Sequence, residues 1–598
     1  MSETAERGLA QRGPTEPGQA VPKETGGLAR WADRLVIVVP AITAFVVGGY
    51  EIGGPSLWRD EAYTRDAITR PVGKIFALLA HTDAVHGAYY LLMHVITGVI
   101  GTSPTALRFP SLCAMVIATA FTAAIGRRAA TLAQAPHAAG SAQAPHAAGS
   151  ARAPDAAGFA RAPDAARLAR APDAAGPAQA SDAARPVRAL EAAGGSRALI
   201  PALTGLLSGM VFATAPFMTY YAQMARSYAI VTMFATIASY LLLRAYPGGG
   251  WRWWSAYGAA VALTGLFNVF GLLILVAHGV TLLLTATTGP ARPGRRIGRV
   301  PVGWLAASAA AVIVLVPLLR ITSGQRGQIS WLTRPDSETI VALFRDFAGS
   351  NGLILLVGLL ALGGVAACCL ADNWRPLNPA AVALPWLVVP PFLLVAVSFV
   401  HPVYDERYVE FCLPALAILV ASGLVGLVRL AFSPRLRQAG RAWLPLAVAA
   451  VVAVGLAVLL VGPQGAIRQT SARPDNLRLA SAIVAANEHP GDVVFYLPIN
   501  MRVLGTGYPA PFLKLRDIAA AQSAIASNTL TGTEITSPAL LKSRFTNVQR
   551  VWVVTGASND KFPVAYTAMD KEKLALLAGM HILHRWQAGE VMLTLYGF

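Results

Sequence analysis

The stretch "ADRLVIVVPAITAFVVGGYEIGGPSLWRDEAYTRDAI" (residues 32–68) sets a long apolar run against an adjacent acid pair, Asp60 and Glu61, with Arg59 and Arg65 on either side and Trp58 and Tyr63 at the shoulders. The apolar part, about 32–50, is long enough to cross a hydrocarbon layer of roughly 30 Å as a helix. It reads as a membrane span whose end is followed closely by two carboxylates. Ionised groups are costly at membrane depth, so a pair kept at the edge of a span calls for a reason.

Outward from this stretch, comparable runs recur at about 107–126, 199–218, 228–244, 254–266 with 267–287 (a short helix and its return), 301–319, 351–371, 378–399, 408–428 and 443–461. Of the 598 residues 55% are hydrophobic and 13% charged, whereas a soluble globular protein is about a quarter charged. These features predict a mainly α, polytopic membrane protein with about eleven transmembrane helices. The piece "GAYYLLMHVITGVIG" (87–101) has too few apolar residues for a crossing and contains His94, which points to an interfacial helix.

The net charge of +18 does not lead to nucleic acid. Its basic residues stand in short blocks between apolar runs, not on a folded basic face with interleaved aromatics. Arg127 and Arg128, Arg244 and Arg252, Arg292 to Arg299, Arg375, and Arg429 to Arg441 fall on alternate connections, as expected for cytoplasmic loops. The N-terminus is then cytoplasmic and, with an odd number of crossings, the C-terminal region lies outside. Residues 1–30 read as a disordered cytoplasmic tail without a cleavable signal. Residues 133–186 repeat a nine-residue unit, from "AQAPHAAGS" to "AQASDAARP", within a low-complexity cytoplasmic insertion over 129–198. Proline in all copies but the last stops helix propagation, and alanine offers little to bury.

Beyond the membrane region 31–461, residues 465–598 change character. Strands are expected at 491–498, 550–556 and 589–598, and amphipathic helices at 476–489 and 571–579, giving a small extracytoplasmic α/β domain. Cys113, Cys368, Cys369 and Cys412 all lie in apolar runs and serve packing, leaving the tail without a disulfide or thiolate metal site. His278, in mid-span, reads as a satisfied interhelical histidine. Small-residue patterns such as "GLLSG" (205–209) read as helix-packing features.

The acid pair has company on its side of the membrane. The same loop continues "HTDAVHGAYYLLMH" (81–94), supplying His81, Asp83, His86 and Tyr89. The third span runs into "YYAQMARSYAI" (220–230), with Gln223, Arg226 and Tyr228, and a later outside turn reads "HPVYDERYVEFC" (401–412), with Arg407 and Tyr408. Several ionisable groups at one face imply a shared polar cavity. Asp60, Glu61, Asp83 and His86 are hard ligands suited to a divalent cation, but their spacing is no metal signature, and arginine can replace a cation; no cofactor is expected to be required. No Walker A sequence, strand-borne GxGxxG or HExxH is present.

The order "RDE", "H…AYYLLMH", "ALRFPSL" (106–112), "AQMARSYA" (222–229), "WLTRPDSETIVALFRDFAG" (331–349) and "RYVEFCLPALAIL" (407–419) resembles the GT-C glycosyltransferases, in the glycosyltransferase family 39-like branch of bacterial relatives of protein O-mannosyltransferases and aminoarabinose transferases. The resemblance covers about 32–461; it departs from the usual pattern at Gly87, where proline is usual, and at Met224, where glutamate is usual. It implies a bacterial plasma-membrane enzyme that moves a sugar, mannose by preference, from a polyprenyl-phosphate carrier to an acceptor hydroxyl on a protein, lipid or cell-envelope glycan at the outer face. In that scheme Asp60 takes the acceptor proton and Glu61 orients it or holds the acceptor. Arg226, Arg407 and Tyr408 bind the donor phosphate, and His81, Asp83, His86, Tyr89, Gln223 and Tyr228 line the acceptor site. The outside loop 320–349, with Arg320, Arg326, Trp331 and Arg334, is expected to cover the carrier headgroup. Rival readings are a ligase for a larger lipid-linked glycan, a non-enzymatic transporter or flippase, and a binding module on a membrane anchor. A transporter would place charge near the midplane and show repeated halves, neither of which is evident here.

Overall fold

The computed structural model describes residues 25–134, 195–246, 250–288, 299–372, 376–441, 443–557 and 563–598. Most of the expected N-terminal tail and nearly all of the nine-residue repeats lie outside these residues. Helix α1 (Thr25–Gly49) begins inside the stretch expected to be tail, and α5 (Pro104–Gln134) runs on past the expected start of the insertion at residue 129. Short helices α2 (Arg59–Ile68), α3 (Val72–Leu79) and α4 (Gly87–Ile100) stand between them. At 14 residues α4 is about 21 Å long, too short for a full crossing.

Among the described residues, eight helices are long and apolar enough to cross a membrane, or nine if one bent pair counts as a single span. The chain is a multi-pass membrane protein on this inventory. The larger expected number counted two further helices: α1, whose apolar part is Arg34–Gly49, and Trp251–Phe267, 17 residues long. The Trp251–Phe267 helix turns back at Asn268, whose side chain caps Phe270 N–H, into the next helix, which is the short helix and return read from the sequence.

Burial sorts the bundle into centre and rim. In the most apolar stretch of Glu410–Ala431 83% of the residues are buried, whereas in that of Val300–Gly324 only 17% are, and this helix exposes Val302, Leu305, Ile313 and Val314, an apolar surface suited to lipid. The central helix meets Ile354–Asp372 backbone to backbone. A Cβ on Gly364 would sit 2.1 Å from Leu419 O, and one on Gly423 2.2 Å from Leu360 O, so only glycine permits this approach. His278 accepts or donates at 3.0 Å to both Ser239 Oγ and Tyr257 Oη, a satisfied interhelical histidine.

The third expected span is broken. Gly195–Thr214 bends by 62° into Pro216–Ala222, and residues 223–227 are not helical before Tyr228–Ala245 begins. Proline at the first position of the second piece supplies no N–H and holds Ala215 extended, which ends the first piece. The break places Arg226 in an irregular turn at one end of the bundle.

The C-terminal domain is a four-stranded sheet of β1 (Val493–Leu497), β4 (Arg550–Gly556), β5 (His581–Ala588) and β6 (Val591–Gly597) in the order β1-β4-β6-β5. Strands β1 and β4 are parallel and the other pairs antiparallel; β2 (Ala520–Gln522) and β3 (Thr533–Glu534) form a separate ribbon. Both faces are covered, which makes β1 apolar throughout. One face packs Val494, Tyr496, Trp552 and Leu593 on Leu477 and Val484 of the Leu477–Asn487 helix, and the other packs Phe495 and Val553 on Leu541 and Leu577. The first of these cores also contains Ala62 of α2. Helix α2 is therefore shared: one side faces the membrane bundle and the other completes the core of the C-terminal domain.

Candidate active site

Asp60 sits in the first turn of α2, and its Oδ2 lies 3.0 Å from Arg407 Nη1 and 3.5 Å from Arg226 Nη2. Three groups separated by well over a hundred residues thus meet on one carboxylate oxygen. The Asp60 side chain keeps 15% exposure, the guanidinium of Arg407 19% and that of Arg226 8%. Arg407 is also clasped by Asp405, whose Oδ1 and Oδ2 each accept a bond at 2.7 Å, a fork-to-fork pair that fixes the plane of the guanidinium. Trp331 and Trp58 lie 5.5 and 6.0 Å from its centre. Burial alone would disfavour the charge on Arg226, but Asp60 together with Tyr90, Tyr228 and Asp83 outweighs it and the group is held protonated. Arg226 Nε, Trp58 Nε1 and His86 Nδ1 are buried polar atoms without a hydrogen-bond partner here, a costly arrangement that a polar ligand would relieve.

Glu61, one residue on, lies elsewhere. It is fully buried; Oε1 and Oε2 accept from Arg108 Nε and Nη2 at 2.8 and 2.7 Å, and Oε1 also accepts from Ala225 N–H at 2.9 Å. The remaining donors of Arg108 go to the carbonyls of Ile52, Pro55 and Ser56. Glu61 is therefore not bonded to Asp60 and both its oxygens are already engaged, whereas the expectation was that it orients the base or holds the acceptor. It locks the loop before α2 to the turn that carries Arg226.

That turn is pinned on every side. Ala225 O accepts from Thr64 Oγ1 at 3.1 Å, Met224 O from Ser111 Oγ at 2.7 Å, and Gln223 O from Arg473 Nη2 at 2.7 Å. An irregular buried segment needs such partners for its backbone groups, because no helix supplies them. Gln223 contributes in the same way. Its Nε2 donates to Gly48 O and Tyr50 O at 3.0 and 2.9 Å, tying the end of α1, so its expected place in the acceptor site is not where the structure puts it.

The other expected residues divide. Asp83, with φ of 59°, accepts from Tyr90 Oη at 2.7 Å, and Tyr90 Oη in turn is 3.5 Å from Arg226 Nη1, so Asp83 reaches the cluster through Tyr90. The His86 ring lies 5.9 Å from that of Tyr90, and burial together with Arg226 holds its pKa well below the usual value, so His86 is neutral. Tyr89 and Tyr228 are buried in the surrounding core, and Tyr408 stacks on Phe270 with ring centres 4.8 Å apart. His81 is exposed and takes no side-chain part in the cluster. Burial and neighbouring Asp405 push the Glu406 carboxyl above the usual range. Sequence reasoning missed Tyr90, Arg108 and Arg473 as site components, and placed Asp405 on the same face without a role.

The outside stretch 320–349 is only partly a loop. The preceding helix extends to Gly324, and Ser337–Ala348 forms an amphipathic helix opened by a capping box of Asp336 and Thr339. Between them Gln325 accepts Ala84 N–H and Gln328 accepts Asp83 N–H, at 2.9 and 3.2 Å, anchoring the segment that brings Trp331 to Arg407.

Among the described residues no group of three or more His, Cys, Asp or Glu side chains is arranged to hold a metal ion. No protein family and no curated protein matches the chain. Solved structures do. ArnT from Cupriavidus metallidurans, in a crystal structure bound to undecaprenyl phosphate, is similar over 96% of this chain and 98% of its own, with 14% identity and a TM-score of 0.47. The Archaeoglobus fulgidus oligosaccharyltransferase tethered with an acceptor peptide is similar over 88% of this chain and 69% of its own, at 10% identity and a TM-score of 0.47. Arabinofuranosyltransferase AftD from mycobacteria is similar over 95% of this chain and 41% of its own, at 15% identity and a TM-score of 0.43.

Proposed function

We propose that the chain is a membrane glycosyltransferase of GT-C type that moves a sugar from a polyprenyl-phosphate carrier to an acceptor hydroxyl. The observation that carries this reading is the meeting of Asp60, Arg226 and Arg407 on one partly exposed carboxylate oxygen at an end of an apolar helix bundle. An alcohol is a poor nucleophile, so a carboxylate must accept its proton as the new bond forms; Asp60 has that role. The leaving polyprenyl phosphate gains negative charge as the glycosidic bond breaks, and Arg226 and Arg407 stabilise that charge more in the transition state than before it. Guanidinium suits the task because its donors match phosphate oxygens in pairs. The acceptor oxygen attacks the anomeric carbon from the side opposite the phosphate, inverting the configuration. Tyr90 and Asp83 orient Arg226, and neutral His86 offers a donor or acceptor to a sugar hydroxyl.

Mannose is the preferred sugar on the family resemblance, with protein, lipid or cell-envelope glycan as acceptor, and the reaction belongs to the outer face of a bacterial plasma membrane. The test is transfer from radiolabelled polyprenyl-phosphate mannose to membranes of a deletion strain. Wild type is expected to label an acceptor and Asp60→Asn to fail. A folded Asp60→Asn variant with full transfer ends the base assignment, and labelling only from a pentose carrier corrects the sugar.

A further inference from the structure

The link between the two domains enters the site from behind. Arg473 is 2% exposed; its Nη2 donates to Gln223 O at 2.7 Å and Tyr220 O at 3.1 Å, and its guanidinium carbon lies 3.8 Å from the centre of the Tyr220 ring. These carbonyls open the turn that carries Arg226. Two residues on, Asp475 Oδ2 accepts the backbone N–H of Arg59 at 2.9 Å and Oδ1 accepts from Arg59 Nη2 at 3.1 Å. Trp58, at the head of α2, makes no side-chain cap, so Asp475 supplies from far along the chain the carboxylate that the N-terminus of the Asp60 helix lacks. One three-residue segment therefore holds the element bearing Asp60 and the turn bearing Arg226.

The segment is itself fixed by the hairpin between β5 and β6. Pro474 O accepts Glu590 N–H at 2.8 Å, and Asn476 N–H donates to Ala588 O at 3.1 Å. A Cβ on Gly589, whose φ is +66°, would lie 2.2 Å from Pro474 O. The hairpin can support the strap only with glycine there.

We infer that Arg473–Pro474–Asp475 is a strap through which the C-terminal domain sets the spacing of Asp60 and Arg226, making Arg473 and Asp475 positioning residues of the transfer reaction. The inference rests on the roles just proposed for Asp60 and Arg226. Neither strap residue is asked to touch substrate; their effect passes through the carbonyls of residues 220 and 223 and the first turn of α2.

The test compares full-length wild type, Arg473→Ala, Arg473→Lys, Gly589→Ala and Asp60→Asn. It reads kcat and donor KM per folded enzyme, the melting midpoint, and equilibrium binding of a short-chain polyprenyl phosphate without sugar. Misplacement of reacting groups by about 1 Å can cost up to about 100-fold in rate. Arg473→Ala is accordingly expected to lose at least ~10-fold in kcat, to bind the lipid phosphate more weakly, and to be partly rescued in Arg473→Lys. Gly589→Ala, which removes no side chain that touches the bundle but pushes on Pro474 O, should lose kcat in the same direction and covers the case in which Arg473→Ala does not fold. Wild-type kcat and phosphate binding in folded Arg473→Ala or Gly589→Ala overturns the strap. If Asp60→Asn transfers normally while Arg473→Ala still weakens phosphate binding, the strap stands and the base assignment falls.

Discussion

Asp60 and Glu61 are neighbours on the same helical turn, yet about 100° of rotation between successive residues sends them into opposite settings. On the Glu61 side everything is closed. The carboxylate takes a forked pair from Arg108 and a backbone N–H, and the other donors of Arg108 are spent on three carbonyls. On the Asp60 side one oxygen is divided between two guanidinium groups, the contact to Arg226 is long, and Arg226 Nε has no acceptor. A cluster whose hydrogen bonds are complete has nothing to offer a ligand and serves as scaffold. A cluster left incomplete and partly wet can exchange partners, which is what binding a phosphate and accepting a proton demand.

The comparison is broken most decisively by Asp60→Asn, expected to lower transfer by about 10²- to 10⁴-fold with a smaller fall in melting midpoint than Glu61→Gln causes; a collapse of folding instead would make Asp60 scaffold as well. Glu61→Gln leaves Arg108 buried without its charge partner, which is expected to destabilise by about 3–5 kcal/mol, seen as a lowered denaturation midpoint in detergent. Paired replacement of Glu61 and Arg108 by uncharged residues of like volume should recover much of that loss. Arg407→Lys keeps the charge but loses the fork, so donor KM should rise by roughly 10-fold, about one good charge-assisted bond. Ser111→Ala removes the hydroxyl from Met224 O and should cost about 1 kcal/mol of stability, with kcat falling only as far as the Arg226 turn loosens.

The smallest effect concerns pH. The pKa of His86 is depressed in the folded chain by burial and by Arg226, so below its unfolded value the unfolded chain binds a proton that the folded chain refuses. Its contribution is complete above about pH 6.5 and is lost as pH falls below that value toward the folded pKa. Melting midpoints measured from pH 7.5 to 5 should fall more steeply in wild type than in His86→Gln.

How much of this was legible in the sequence follows from where each signal resides. Spans announce themselves by hydropathy, and carboxylates or arginines at span ends stand out against that background, so Asp60, Arg226 and Arg407 were readable together. Arg108 was not, because a lone arginine near the start of an apolar run looks like a headgroup anchor, and three of its acceptors are backbone carbonyls that no side-chain pattern reveals. Arg473 lies in a linker between domains and acts on carbonyls 250 or more residues away. Gln223 was readable as a polar residue on the site's side of the membrane, but not as a tie to α1. In the tail the buried strands β1, β4 and β6 appeared as apolar runs. Strand β5, "HILHRWQA", is an edge strand exposed along most of its length, and so lacks the alternation that marks a half-buried strand.

The connection that carries the nine-residue repeats joins α5 to Gly195–Thr214, and these two helices touch so closely that a Cβ on Gly126 would fall 2.4 Å from Ser208 Oγ and one on Gly205 2.7 Å from Arg127 Cβ. Their partnership is written in the helices and owes little to the tether. An insertion between them is therefore expected to cost the bundle little: a fluorescent protein placed as a passenger in that connection should leave the melting midpoint close to that of the parent chain.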